Sequence, residues 1–254
     1  MADIEVVVSG SVATVTLNRP SVRNAVTLAM WKDLAQIFRE LGQDRKIRSI
    51  LLSGAGESFS VGADVSEFSE VRGDAAASTE YESFVDAASG AIAAAPQPVI
   101  AVLRGYCLGG ACHLCLACDF RYGHPGASIG IPAAKLSIVY SVQTTRRLLS
   151  LVGPVQAKRM LFSAERLGAE GANRLGIIDH ISNDPAGEAM NFARSISELA
   201  PLSIAGAKYI INDLCDGGRA PKAQEIIDHA SNSKDYHEAR HAFAEKRQPI
   251  FGGG

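Results

Sequence analysis

The chain has 254 residues, 47% of them hydrophobic, enough for one full-sized core with a small appendage. Its 25 Lys and Arg against 27 Asp and Glu give a formal charge of −2, so no chain-wide basic field suits nucleic acid or an anionic membrane surface, although local positive groups can still hold a phosphate. No charged-then-apolar leader precedes the first strand and no uninterrupted apolar run is long enough to cross a bilayer, so the expectation is a soluble cytoplasmic protein with neither membrane nor nucleic-acid partners.

In chain order, residues 4–17 read as a hairpin, two β-branched runs around a Ser-Gly turn, which Asn18-Arg19-Pro20 breaks. From Thr27, a capping residue, Leu28, Trp31, Leu34, Ala35, Phe38 and Leu41 recur at helical spacing until Gly42. A strand over 47–52 follows. Residues 68–95, rich in Ala and Ser with scattered acids, predict a mobile loop and then a helix stopped by Pro96 and Pro98. The unbroken apolar run Val99–Leu103 is a buried strand, and it leads into a helix carrying cysteines. Short strands over 119–122 and 127–131 precede a helix over 141–151. Pro154 suits the first turn of a further helix over 155–162, and another helix from about Ala169 leads to a strand within 176–181. After Pro185 only helical patterns remain, over 187–199, 202–214, 222–230 and 235–247, so an α/β core over 1–200 is expected to carry a helical region over 201–254.

Two glycine-rich turns stand out: Phe59-Ser-Val-Gly-Ala-Asp-Val65 and Gly105-Tyr-Cys-Leu-Gly-Gly-Ala-Cys-His113, each just after a β-branched and aliphatic run. Glycines let main chain approach a ligand closely and adopt angles other residues avoid, so two such turns can aim two N–H groups at one oxyanion. The helix opened by Gly109-Gly110 and the segment 131–136 carry no carboxylate. Cys112, Cys115 and Cys118 have the C-x2-C-x2-C spacing found in iron–sulfur ligand runs. Their small apolar neighbours favour instead a helix pressed into a core, where free Cys acts as a small hydrophobe, and no metal site is expected.

Four segments in order carry a resemblance. Thr16-Leu-Asn-Arg-Pro20 with Arg23-Asn-Ala25 resembles the first CoA-contact loop of the crotonase, or enoyl-CoA hydratase/isomerase, superfamily; 59–65 resembles its first oxyanion turn, 105–119 its second, and Ala242-Phe-Ala-Glu-Lys-Arg-Gln-Pro249 its closing helix. The resemblance implies a crotonase-like α/β spiral of ββα turns with two stacked sheets and a C-terminal helical region, assembled as a homotrimer or a dimer of trimers. It implies an acyl-CoA thioester as substrate, with coenzyme A part of that substrate and no tightly bound cofactor. Carried over by position, the N–H groups of Ala63 and Gly110 would hold the thioester oxygen of an enolate, and Val22, Arg23, Val61, Asp64 and Val65 would surround the nucleotide and pantetheine. Phe243 and Lys246 would approach the CoA of a neighbouring subunit, Lys246 by charge on phosphate. Asp64 is also suited to capping the next helix.

The resemblance breaks at the two glutamates that hydrate an enoyl thioester in well-known members, where His113 and Ala133 stand. Alanine transfers no proton; histidine can, with a pKa near neutrality, so His113 is the candidate base, with Tyr140 near the acyl end as a second group. Asp119 and Arg121 read as structural. The expected function is an enoyl-CoA hydratase/isomerase-like lyase or isomerase with weak simple hydration. The alternatives are isomerisation, decarboxylation or hydrolysis on the same scaffold, or a catalytically silent acyl-CoA binder. A serine-protease reading lacks a nucleophile turn with a histidine partner.

Overall fold

The β-branched runs at the start pair as expected. In the computed structural model, which describes residues 2–254, β1 (Ile4–Ser9) and β2 (Val12–Leu17) are antiparallel, with Ile4 opposite Leu17 and left-handed Gly10 in the turn. The Thr27 hydroxyl accepts the Met30 N–H and opens α1 (Leu28–Gln43), which buries Met30, Trp31, Leu34, Ala35 and Phe38. Then come β3 (Ser49–Gly54), a short α2 (Phe68–Val71) and the long α3 (Ala75–Ala94). They are followed by β4 (Val99–Leu103), β5 (Tyr106–Leu108), α4 (Gly110–Ala117), β6 (Phe120–Gly123) and β7 (Ser128–Gly130). The chain continues through α5 (Val142–Ser163), β8 (Arg166–Gly168), α6 (Ala169–Arg174), β9 (His180–Ile181) and α7 (Pro185–Ser197). It closes with α8 (Pro201–Cys215), α9 (Ala223–Ser231) and α10 (Lys234–Glu245).

The strands divide into a six-stranded sheet ordered β1-β2-β3-β4-β6-β9, parallel from β2 onward, and a three-stranded sheet ordered β5-β7-β8. Single parallel bridges, Ser60 to Cys107 and Val26 to Ala63, extend the smaller layer through the first glycine turn. Each coil of the chain therefore repeats one route: a strand in the large sheet, an extended piece in the small layer, then a helix. β3, residues 60–63 and α3 make one coil; β4, β5 and α4 the next; β6, β7 and α5 a third. The start of each helical stretch falls at an equivalent place, and these places hold the site.

One face of the large sheet packs on α1, α3 and α4, and the other buries Val12, Leu51, Ile100 and Val102 under Ala189 and Ala193 of α7. Strand β4 is buried throughout, as its unbroken apolar run requires. The cysteine helix is a core helix, with the thiols of Cys112, Cys115 and Cys118 donating to main-chain carbonyls of Cys107, Cys112 and Leu114 respectively. Arg121 is buried and structural: Nε donates to Ile177 O and Nη1 to Cys118 O, each at 2.7 Å, and Asp179 pairs with the guanidinium. Lys208 of α8 reaches back to Asp119 at 2.6 Å and to Gln97 O at 3.0 Å, docking the last helices on the core. Among the described residues no helix is long and apolar enough to cross a membrane.

Local expectations fail where an element is short or its composition misleads. Residues 68–95, read as a loop and then a helix, are helical over most of their length: α2 occupies the start, and Asp74 accepts the Ala77 N–H to open α3. Strands β5 and β8 have three residues each; β5 lies inside the segment read as a glycine turn, and β8 falls between the helices expected over 155–162 and from about Ala169. The helices over 141–151 and 155–162 are separated as expected, by Gly153 at φ 71° and ψ 170°, ahead of Pro154.

One buried amide holds the first glycine turn. Asn24, fully buried with φ 56°, donates to the carbonyls of Ala55, Ser58 and Phe59 and accepts the Arg19 N–H. Asn24→Ala strands these groups and leaves alanine in a left-handed conformation, so its urea midpoint is expected to report a loss of about 2 to 4 kcal/mol. Wild-type stability in that variant would show that the turn is held by other contacts.

Candidate active site

The two glycine turns meet. A Cβ on Gly62, whose φ is +88°, would lie 2.4 Å from Leu108 O and 2.8 Å from the Gly110 nitrogen. A Cβ on Gly110 would lie 3.0 Å from the Trp31 ring and 3.5 Å from the Ala63 nitrogen. Glycine is required at both places by space, and at Gly109 by a φ of 56° with ψ −123°. Gly62 O accepts from Val26 N and Asp64 N donates to Val26 O, so strand alternation turns the intervening Ala63 N–H the opposite way. Gly110 opens α4, where the first N–H groups of a helix have no intrahelical acceptor. Neither N–H has a protein partner among the described residues.

Beside these N–H groups lies a cavity of about 80 Å³, whose wall includes Ala63, Gly110, Trp31, His113, Ala133 and Tyr140. Trp31 is fixed by its indole N–H donating to Tyr81 at 2.8 Å. His113, one turn into α4, is 2% exposed; its Nδ1 is hydrogen-bonded to the Thr144 hydroxyl at 3.1 Å, and its Nε2 has no partner. The Ser141 hydroxyl donates to Asp86 at 2.7 Å, and the Thr144 hydroxyl points to the same carboxylate at 3.5 Å. With Thr144 donating to Asp86, His113 Nδ1–H donates to Thr144 and Nε2 keeps its lone pair. Tyr140 packs edge-on against the imidazole, ring centres 4.2 Å apart. Burial, with the Arg147 charge adding to it, lowers the imidazole pKa to about 3, which corrects the expectation of a near-neutral value. Burial raises the Tyr140 phenol well above its ordinary value, so both rings are neutral over the physiological range.

The remaining expected residues divide. Val22, Arg23 and Val61 line an open groove of about 530 Å³ together with Arg166, and the guanidinium groups of Arg23 and Arg166 stand 5.2 and 5.6 Å from the centre of the Tyr106 ring. Val65 is 63% exposed and lines the cavity rather than the groove. Asp64 accepts from Arg19 at 2.8 Å and from the Ser66 N–H and hydroxyl, which together hold its carboxyl below the usual carboxylate range; it caps the following turn. Phe243 and Lys246 end α10 and line neither cavity nor groove within one chain.

Sequence reasoning missed Thr144 and Asp86, which orient His113, and missed the Arg72–Glu82 pair on the cavity wall. Glu82 and Asp86 are four apart on α3, one face of a helix, but that signal is legible only once residues 68–95 are known to be helical.

The geometry agrees with three comparisons. Residues 8–254 match the family model described as Enoyl-CoA hydratase/isomerase. A short-chain-enoyl-CoA hydratase of Clostridium acetobutylicum is 32% identical over 247 residues, covering 94% of this chain and 93% of that protein. The crystal structure of an enoyl-CoA hydratase/carnithine racemase from Magnetospirillum magneticum superposes with a TM-score of 0.94 at 32% identity, covering all of this chain and 97% of the other. An enoyl-CoA hydratase from Bacillus anthracis superposes at 0.90 with 29% identity over the whole of both chains. With its spiral of ββα coils and its two meeting glycine turns, the chain belongs to the enoyl-CoA hydratase/isomerase family of the crotonase superfamily.

Proposed function

We propose that the protein acts on an acyl-CoA thioester through an enolate whose oxygen is held by the N–H groups of Ala63 and Gly110. The observation that supports this most directly is the pair of unpartnered N–H groups at equivalent places of successive coils, beside a cavity. Charge develops on that oxygen as the α-carbon loses a proton, and fixed dipoles stabilise it without reorganising. One such donor is typically worth about 3 to 4 kcal/mol of barrier. The groove under Arg23, beside Val22 and Val61, suits the phosphates and pantetheine, with coenzyme A present only as part of the substrate.

His113 is the proton-transfer group nearest the Gly110 turn, with Tyr140 closing the wall behind it. Ala133 contributes a methyl to the same wall. With no carboxylate at positions 113 and 133, isomerisation or decarboxylation through the same enolate is favoured over simple hydration by the two-glutamate route. Crotonyl-CoA hydration is expected to run at least about 10²-fold below that of a two-glutamate enzyme assayed beside it. His113→Gln is expected to slow the chemical step on the true substrate by about 10² or more while CoA affinity holds; normal turnover would return His113 to the core. A catalytically silent acyl-CoA binder is the second reading, favoured by Ala133 and the weak basicity of His113. Tight CoA binding with no turnover across acyl-, enoyl- and malonyl-type thioesters would establish it.

Acid should also unfold the protein through His113. Its folded pKa, about 3, lies below the ordinary 6.5, so its buried neutral form contributes stability that is fully present above 6.5 and is lost as pH falls toward 3. The urea midpoint is expected to fall across that window, and to fall less in His113→Asn.

The assembly favoured by this reading is a homotrimer or a dimer of trimers in which α10 meets a neighbour's CoA. Phe243 is 88% exposed, and Lys246 has no ion pair among the described residues, as expected of groups completed by another subunit. Lys246→Glu is expected to weaken acetyl-CoA binding at least about tenfold by calorimetry, the worth of one charged hydrogen bond. Equal affinities, or a monomer by light scattering, would remove Lys246 from the site.

A further inference from the structure

The cavity beside the two N–H groups contains a carboxylate that neither glycine turn supplies. Glu82, on α3, stands on its wall with Ala63, Gly110, His113 and Tyr140. Arg72 Nη1 donates to one carboxylate oxygen at 2.8 Å, and the Arg72 guanidinium is itself held over the rings of Phe68 and Tyr81, at 5.2 and 4.9 Å from their centres. The other oxygen, Oε2, is buried and has no hydrogen-bond partner among the described residues. An unpaired carboxylate oxygen out of water costs free energy, so one on a residue that lines the cavity is a mark of function rather than of packing.

The geometry points to Glu82 as a second proton-transfer residue of this site, its free Oε2 taking the α-proton of the bound thioester. The step rests on the enolate reading above and balances internally. The Cα–H bond breaks and an O–H bond forms on Oε2; the electron pair becomes the bond between Cα and the thioester carbon, and the carbonyl electrons move to the oxygen facing Ala63 and Gly110. On collapse of the enolate a proton returns to carbon: at Cα it gives exchange once the O–H on Oε2 has swapped its proton with solvent, and at Cγ it gives a double-bond shift, with no other reactant consumed. Arg72 leaves Oε2 free because it engages only Oε1.

Burial supports the assignment. It raises the Glu82 carboxyl above its ordinary value against the opposing pull of Arg72, which makes a stronger base than a surface carboxylate. The charged and titratable groups around it are Arg72 from the end of α2, Tyr81 and Asp86 from α3 itself, and Tyr140 and His113 across the cavity; Arg72 is the cation among them. His113, by contrast, is a weak base with a pKa of about 3.

The test is deuterium uptake at Cα in heavy water, read by mass spectrometry with but-3-enoyl-CoA, acetyl-CoA and malonyl-CoA as probes. Glu82→Gln is expected to slow exchange by about 10² or more with acetyl-CoA affinity unchanged, and Glu82→Asp to recover part of the rate from a carboxylate on a shorter arm. The wild-type rate should lose activity on the acid side at a pKa above that of an ordinary carboxylate, and the Gln variant should lose this limb. Exchange at the wild-type rate in Glu82→Gln, or an acid limb near 3, overturns the role of Glu82 and leaves the enolate reading standing. Loss of acetyl-CoA binding in both Glu82 variants makes the side chain structural and overturns it equally. A wild type that takes up no deuterium from any of the three thioesters removes the enolate reading and Glu82 with it.

Discussion

Everything at the site depends on how closely two main-chain turns approach each other. Gly62 sits against Leu108 O and the Gly110 nitrogen with no room for a methyl group, and the Trp31 ring presses on Gly110 from the other side. That contact fixes the directions of the Ala63 and Gly110 N–H groups before any ligand arrives. It is maintained by distant parts of the chain: Asn24 ties the first turn to carbonyls of residues 55, 58 and 59, and β5 ties the second to β7. Preorganised dipoles are effective because the cost of orienting them has been met in folding rather than in the reaction.

The same packing sets the electrostatics. Three titratable side chains on one small cavity are driven toward their neutral forms by loss of water: the imidazole of His113 downward, the phenol of Tyr140 and the carboxyl of Glu82 upward. Arg72 opposes this for Glu82 by charge and hydrogen bond, and for Tyr140 by charge. The cavity thus offers one carboxylate with a nearby counter-charge and two neutral rings, a different set from a pair of facing glutamates. Elsewhere buried charge is spent on architecture, as in Arg121 with Asp179 and Lys208 with Asp119. Arg121 and Lys208 also donate to main-chain carbonyls, and Asp179 and Asp119 each accept a main-chain N–H, whereas Glu82 keeps a buried oxygen with no partner among the described residues.

Much of the fold was legible because long elements declare their period. The stripe on α1, the apolar run of β4, the break at Gly153-Pro154 and the helices after Pro185 all follow from side-chain spacing and backbone allowance. Strands β5 and β8 were not, since three residues carry no resolvable alternation. The start of α3 is not legible in the sequence because Ala and Ser suit loops and helices alike, and the Asp74 cap that settles it is a single residue.

By itself the sequence determined where glycine is needed, which runs form strands and helices, and that the order of four segments matches one family. Backbone conformation is a local property, so local residues report it. Only the tertiary structure decided what meets at the cavity. His113 is neutral because the chain around it excludes water and because Arg147 lies nearby, and its ring is oriented by Thr144, thirty-one residues away. Glu82 joins Gly110 and Tyr140 only because α3 packs across α4 in the spiral. Desolvation and hydrogen-bond geometry belong to neighbours in space, and spacing along the chain does not encode them.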